Sequence, residues 1–218
     1  MKKFLLLSLT LMLSVVLTAQ ENITEGVMVM KQTMSSDNEQ MNAQLQAMAA
    51  ANTTIYFKGD KSRNESNNPM TGDMIVIVDG TKKQMLMLMD QAAYGKKYMI
   101  QSTEPSKEDL EAVTVKKGDK TKTVLGYECQ EYIVSMKQNG QDVEMQMFTT
   151  DKISAVSQNT TAMGDKVEGF PLYFNMKMNQ MGTTINVEME VVKIDQQSVP
   201  NEKFSLTPPE GYTKMEGM

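Results

Sequence analysis

Apolar and polar residues alternate along most of this chain. In "GVMVMKQTM", Gly26 to Met34, branched and thioether side chains take every second place, the spacing of a strand with one buried face. From Thr53 the same period returns. "TTIYFKGDKSRNES" carries a hairpin signal at Gly59-Asp60, and "DMIVIVDG" ends on Asp79-Gly80. "QMLMLMD" and "KKYMIQS" follow. "TVLGYECQEYIVSMK" and "DVEMQMFTT" then flank Asn139-Gly140, the strongest two-residue turn signal in the chain. In "FPLYFNMKM" the even positions are apolar (Phe170, Leu172, Phe174, Met176, Met178), and in "TTINVEMEV" the odd ones (Ile185, Val187, Met189, Val191). A two-residue turn within Gln180 to Gly182 pairs even with odd and puts both apolar rows on one side. Tyr173, Lys177, Glu188 and Glu190 then face water.

One segment breaks the period. Ser36 and Glu39 form an S-x-x-E capping pattern, and Met41, Leu45 and Met48 recur at i, i+4 and i+7, which predicts a helix over Ser36–Asn52. Pro105 suggests a short helix starting in "PSKEDLEAV", and Ser154 to Asp165 a helical turn. The count is about ten or eleven strands, one main helix and no βαβ alternation. The expected fold is mainly β (α+β): a single curved antiparallel sheet, or half-open barrel, covering that helix. "MIVIV" and "MLMLM" are apolar at every position, so both faces of Met74–Met89 need cover. A loop, a partner protein or a second copy would serve equally.

The N-terminus changes the compartment rather than the fold. Lys2 and Lys3, the apolar run Phe4–Val16 and a small-residue cut site after Ala19 read as a signal peptide over residues 1–19, too short for a spanning helix. Residues 20–218 are then one exported domain, with the periplasm of a Gram-negative-type envelope as the expected location. No cysteine lies near the cut to take a lipid anchor. Without the leader, 20 basic residues face 27 acidic ones, and Arg63 is the single arginine. That balance disfavours nucleic acid and anionic membrane surfaces. The run "KKGDKTK", Lys116 to Lys122, reads as a solvated loop.

Composition also removes chemistries. The chain has no histidine and one cysteine, so it lacks the usual catalytic triads, His- or Cys-based zinc sites and a C-x-x-C redox pair. Glycine-rich phosphate loops and calcium loops are missing too. Carboxylate chemistry remains, with Asp73, Asp79, Asp90 and Asp151 at strand ends, where acidic residues ordinarily form turns. No enzyme activity and no cofactor are expected. Cys129, inside the strand-like "GYECQEY", reads as a small buried hydrophobe, with intermolecular pairing as the alternative.

What is unusual is methionine, 23 residues in all, recurring as x-M-x-M: Met28/Met30, Met85/Met87/Met89, Met145/Met147 and Met176/Met178. Three readings stay open. The thioethers fill an ordinary core; or they make a deformable face that refits around apolar ligands; or they bind Cu(I) or Ag(I). Strand residues i and i+2 share a face about 6.7 Å apart. The metal reading therefore names Met85, Met87 and Met89, with Met178 and Met181 near a turn.

The runs "KTVLGYECQEY" (Lys122–Tyr132), "MFTTDKI" (Met147–Ile153), "GFPLYFNMK" (Gly169–Lys177) and "FSLTPPEGY" (Phe204–Tyr212) together resemble an uncharacterised family of secreted envelope proteins. That family is similar in fold to the LolA/LolB lipoprotein carriers, a half-open antiparallel barrel on a helical plug. The resemblance implies an apolar cavity for acyl chains or hydrophobic segments. It transfers no catalytic position. The expected partner is a hydrophobic small molecule, lipid or lipoprotein, and the oligomeric state is left open. The expected lining is Met41, Leu45 and Met48 from the helix, with Met85, Met87, Met145, Met147, Phe174, Met176, Val187 and Met189 from strands.

Overall fold

The computed structural model describes residues 22–48, 52–68, 72–138, 141–180 and 183–215. The proposed leader, Met181 and the Asn139-Gly140 turn lie outside the described residues, as does the side chain of Met48. Twelve strands run in chain order: β1 (Glu25–Ser36), β2 (Asn52–Lys58), β3 (Lys61–Asn68), β4 (Gly72–Asp79), β5 (Gln84–Gln91), β6 (Gly95–Ser102), β7 (Val113–Val124), β8 (Tyr127–Gln138), β9 (Gln141–Thr150), β10 (Phe170–Gln180), β11 (Thr183–Asp195) and β12 (Thr213–Lys214). They form one unclosed sheet in the order β12-β6-β5-β4-β3-β2-β1-β11-β10-β9-β8-β7. Neighbours are antiparallel except β12, which lies parallel to β6 over two residues.

Several registers follow the alternation. Phe174 faces Met189, Met176 faces Val187 and Met178 faces Ile185, which puts both apolar rows on one side. Gly59, at φ +53°, turns β2 into β3 with Lys58 opposite Lys61. The strand count differs from expectation for local reasons. "TVLGYECQEYIVSMK" is not one strand: Leu125 (φ 50°) and Gly126 (φ 85°) reverse the chain between Val124 and Tyr127. Leucine rarely takes a left-handed conformation, so the turn was hidden. The basic run Lys116–Lys122 is not a loop but the body of β7. Its extra residues between Lys117 and Thr121 bulge around Glu131. That carboxylate is buried and accepts from the Lys120 N–H at 3.2 Å and from the Gln146 side chain.

The sheet must curl. β6 and β7 sit ten strand spacings apart in the order, about 48 Å if the sheet were flat. Ser102 and Val113 are joined by a short segment, half of it the helix α2 (Lys107–Ala112), with a reach of about 27 Å. Irregular registers in β10 at Pro171/Tyr173 and in β1–β11 at Val29/Met30 add local bend and twist. A proline inside a central strand is tolerated at such a break. α2 is capped by Ser106, whose Oγ accepts from the Asp109 N–H at 3.0 Å while Asp109 accepts from the Ser106 N–H at 2.9 Å. Pro105 therefore stands one residue before the cap, not in the first turn.

The main helix, α1 (Glu39–Met48), is shorter than expected and starts later. Ser36 remains in β1, and Asn38 caps instead, its Oδ1 accepting from the N–H of Gln40 at 3.0 Å. α1 does not plug the whole hollow. Leu45 and Met41 pack on Met34, Ile185, Val187, Met176, Met178 and Met189, over one part of the sheet. Elsewhere the inner face is covered by the excursion between β9 and β10. Ile153 bridges Ile23, and Ala155 bridges Gly59. Val156 packs beside Val76, Val78, Met85 and Met87, while Met163 and Val167 join the main core.

The second face of β4 and β5 is covered by the chain's own C-terminal segment. Val199 and Phe204 are buried against Ile77, Leu86 and Leu88, with Leu206 and Tyr212 packed alongside. Polar clamps hold this strap. Glu25 accepts from the Val199 N–H at 2.6 Å and pairs with Lys58 at 3.0 Å. Glu65 pairs with Arg63 at 2.5 Å and Lys203 at 3.2 Å, and Lys203 lies 4.1 Å from the centre of the Tyr56 ring. The Val199 N–H, then Lys58, holds Glu25 below its ordinary value of 4.5. Burial pushes Glu65 up, but Arg63 and Lys203 outweigh it and the net direction is down. Both carboxylates thus bind protons less readily folded than unfolded. Their contribution is complete above the ordinary value and is lost as pH falls through the lowered one. Thermal melts across the acid range should show wild type losing stability more steeply than the Glu25→Gln/Glu65→Gln double variant, with a constant gap near neutrality.

Candidate ligand-binding cleft

A cleft of about 300 Å³ opens on the inner face, between the α1 cluster and the β9–β10 excursion. Its floor comes from β1 to β5, and Met189 of β11 with Gln158 and Asn159 of the β9–β10 excursion complete the lining. Met30, Ile55, Met74, Val76 and Met189 make the apolar wall. Among the described residues, none that lines the cleft is ionisable.

The rest of the wall is neutral and polar, and its centre is β3. In "KSRNESNN" the odd residues Lys61, Arg63 and Glu65 share the strap side, and the even ones Ser62, Asn64, Ser66 and Asn68 share the inner side. A polar strand thus runs through the middle of a thioether-rich wall: Asn64 stands between Ile55 and Val76, and Ser66 between Thr53 and Met74. Ser62 and Asn64 are 1% and 8% exposed, and neither Ser62 Oγ nor Asn64 Nδ2 has a hydrogen-bond partner. Gln158 Oε1, from the β9–β10 excursion and in the same lining, is also buried and unpartnered. Each such group costs on the order of 1–3 kcal/mol.

Of the expected lining residues whose side chains are described, only Met189 reaches this cleft. Met41, Leu45, Met176 and Val187 pack together under α1, and Met85 and Met87 pack with Val156. Met147 and Phe174 are buried in the main core, with Met145 against it. The metal set is not brought together either. Met85, Met87 and Met89 share the inner face of β5, whereas Met178 belongs to the α1 cluster. Of the four candidate carboxylates, two are brought together as cross-strand neighbours, and Lys96 pairs with one of them, Asp90, at 3.6 Å. Asp73 and Asp90 face each other across β4 and β5, Asp79 accepts from the Lys82 N–H at 3.0 Å in the following turn, and Asp151 pairs with its neighbour Lys152. Cys129 is fully buried, and desolvation pushes its thiol up to about 11. At mildly alkaline pH the folded protein should leave a thiol-reactive dye unreacted, and urea should release one equivalent.

Fold and cleft define a class: an open, curled antiparallel sheet with an uncharged recess on its inner face. The chain belongs to the family described as a domain of unknown function, DUF4412, which matches residues 24–212. No curated protein matches the sequence. Among solved structures, PNGF-II is similar with a TM-score of 0.52 at 10% identity, covering 88% of this chain and 31% of that one. The chain spans about a third of PNGF-II, and the likeness is one of fold. The lipoprotein LppX of Mycobacterium tuberculosis superposes with a TM-score of 0.30 at 6% identity, over 80% of this chain and 90% of that one. That superposition is too loose to define a shared fold. No helix among the described residues is long and apolar enough to cross a membrane.

Proposed function

We propose that this chain is an exported, non-enzymatic binding protein that shelters an apolar segment in the inner cleft. The segment would be a small hydrophobic molecule, or the acyl chain of a lipid or lipoprotein. One observation carries the reading: a recess walled by Met30, Met74, Met189, Ile55 and Val76, with no ionisable group among its described lining residues, between two covering elements. Thioether chains refit around varied hydrocarbon shapes. The missing histidine supports a role without bond chemistry. Export rests on the N-terminal "MKKFLLLSLTLMLSVVLTAQ". At about 0.8 kcal/mol per buried methylene, an eight-carbon chain supplies roughly 6 kcal/mol before ordering costs, so affinities of tens of micromolar or weaker follow.

Native mass spectrometry of protein purified without detergent, with lipid extraction, tests this. A co-purifying amphiphile is expected, as is enhanced fluorescence of the neutral dye N-phenyl-1-naphthylamine that Met189→Lys abolishes. Recovery of no amphiphile together with a silent dye would refute the reading.

A further inference from the structure

We propose that the polar stripe of β3, together with Gln158, recognises a neutral head group bearing both a hydrogen-bond acceptor and a donor, an amide or a hydroxyl. The proposal rests on the binding role argued above and specifies the ligand class.

The case begins with cost. The inner residues of β3 stand where their neighbours across the sheet are Ile55, Val76, Phe57 and Val78. Apolar residues there would continue the wall and stabilise the fold. Instead Asn64 is more than nine-tenths buried, lines the cleft and leaves its Nδ2 donor unpartnered. Folding gains nothing from that arrangement, so it is explained by an occupant that supplies an acceptor. Gln158 Oε1, also buried in the lining, asks for a donor. An amide or hydroxyl offers both at once.

Charge selects further. With no ionisable side chain among the described lining residues, a carboxylate, phosphate or ammonium entering the cleft would lose hydration and find no counter-ion there, a large penalty. An amide loses less hydration and gains two bonds. The apolar wall beside the stripe then takes the attached hydrocarbon.

The test uses four eight-carbon probes (octanamide, 1-octanoylglycerol, octanoate and octyltrimethylammonium) competing with N-phenyl-1-naphthylamine on the full protein. Octanamide and octanoylglycerol should displace the dye at concentrations about tenfold lower than the two charged probes. Asn64→Leu and, independently, Gln158→Leu should each erase most of that preference, by about five- to tenfold, once each variant's displacement is scaled to its own dye affinity. Asn64→Leu should also melt at or above the wild-type temperature, since it removes an unpaired buried donor. If it does not fold, Gln158→Leu, in the β9–β10 excursion, carries the comparison. Equal displacement by octanamide and octanoate, with the dye still bound, overturns this inference and leaves the binding role standing. Failure of every probe and of the dye overturns both.

Discussion

Removing residues 196–218 should leave a chain that does not fold at room temperature. The strap supplies Val199 and Phe204 to a cluster whose other buried members, Ile77, Leu86 and Leu88, have no alternative cover on that side. The cut deletes two buried side chains and exposes three, so the burial of five is lost; at about 2 kcal/mol each this is about 10 kcal/mol, comparable to the whole stability of an ordinary domain. The clamps at Glu25 and Glu65 are lost in the same cut. Circular dichroism and urea titration of the truncated protein provide the measurement. A cooperative transition within about 5 °C of the full chain would show that the strap is ornamental. Phe204→Ala, at about 3–5 kcal/mol, gives the graded version of the same loss.

The second large effect separates packing from binding. Met147 is fully buried, opposite Phe174 on one side and Tyr132 on the other. Met147→Ala should destabilise by about 2–5 kcal/mol, whereas Met147→Leu should cost less than about 1.5 kcal/mol because volume is kept. Dye affinity should be unchanged in both. Unaltered stability with lost dye binding would instead place Met147 at the wall of a ligand space.

These two residue groups show what alternation reveals and what it conceals. Where one face is greasy and the other charged, as in Phe170–Met178 against Thr183–Val191, the pattern settles register and facing, because a slip of one residue would exchange the two sides. It says nothing of what lies over the greasy side. Met147 and Met189 look alike in sequence, yet one is sealed in the core and the other borders the cleft. That difference is made by the β9–β10 excursion, a contact remote along the chain. The polar stripe was missed for the opposite reason. "KSRNESNN" has no apolar face, so a search for greasy positions passes over it. Its signal was present in another form, with charges at odd positions and small neutral groups at even ones. The Leu125-Gly126 reversal left little trace, since only its second residue favours the conformation.

The unclosed sheet has one further consequence. Its two outer borders offer backbone groups to any passing strand, the route by which such proteins stick to one another. One border is capped by β12 for only two residues. The other, β7, carries Lys116, Lys117, Lys120 and Lys122 and is broken by a bulge. Two copies approaching through it would bring like charges together on a kinked rail. Lysine charge and the kink therefore both oppose the addition of a further strand at that border.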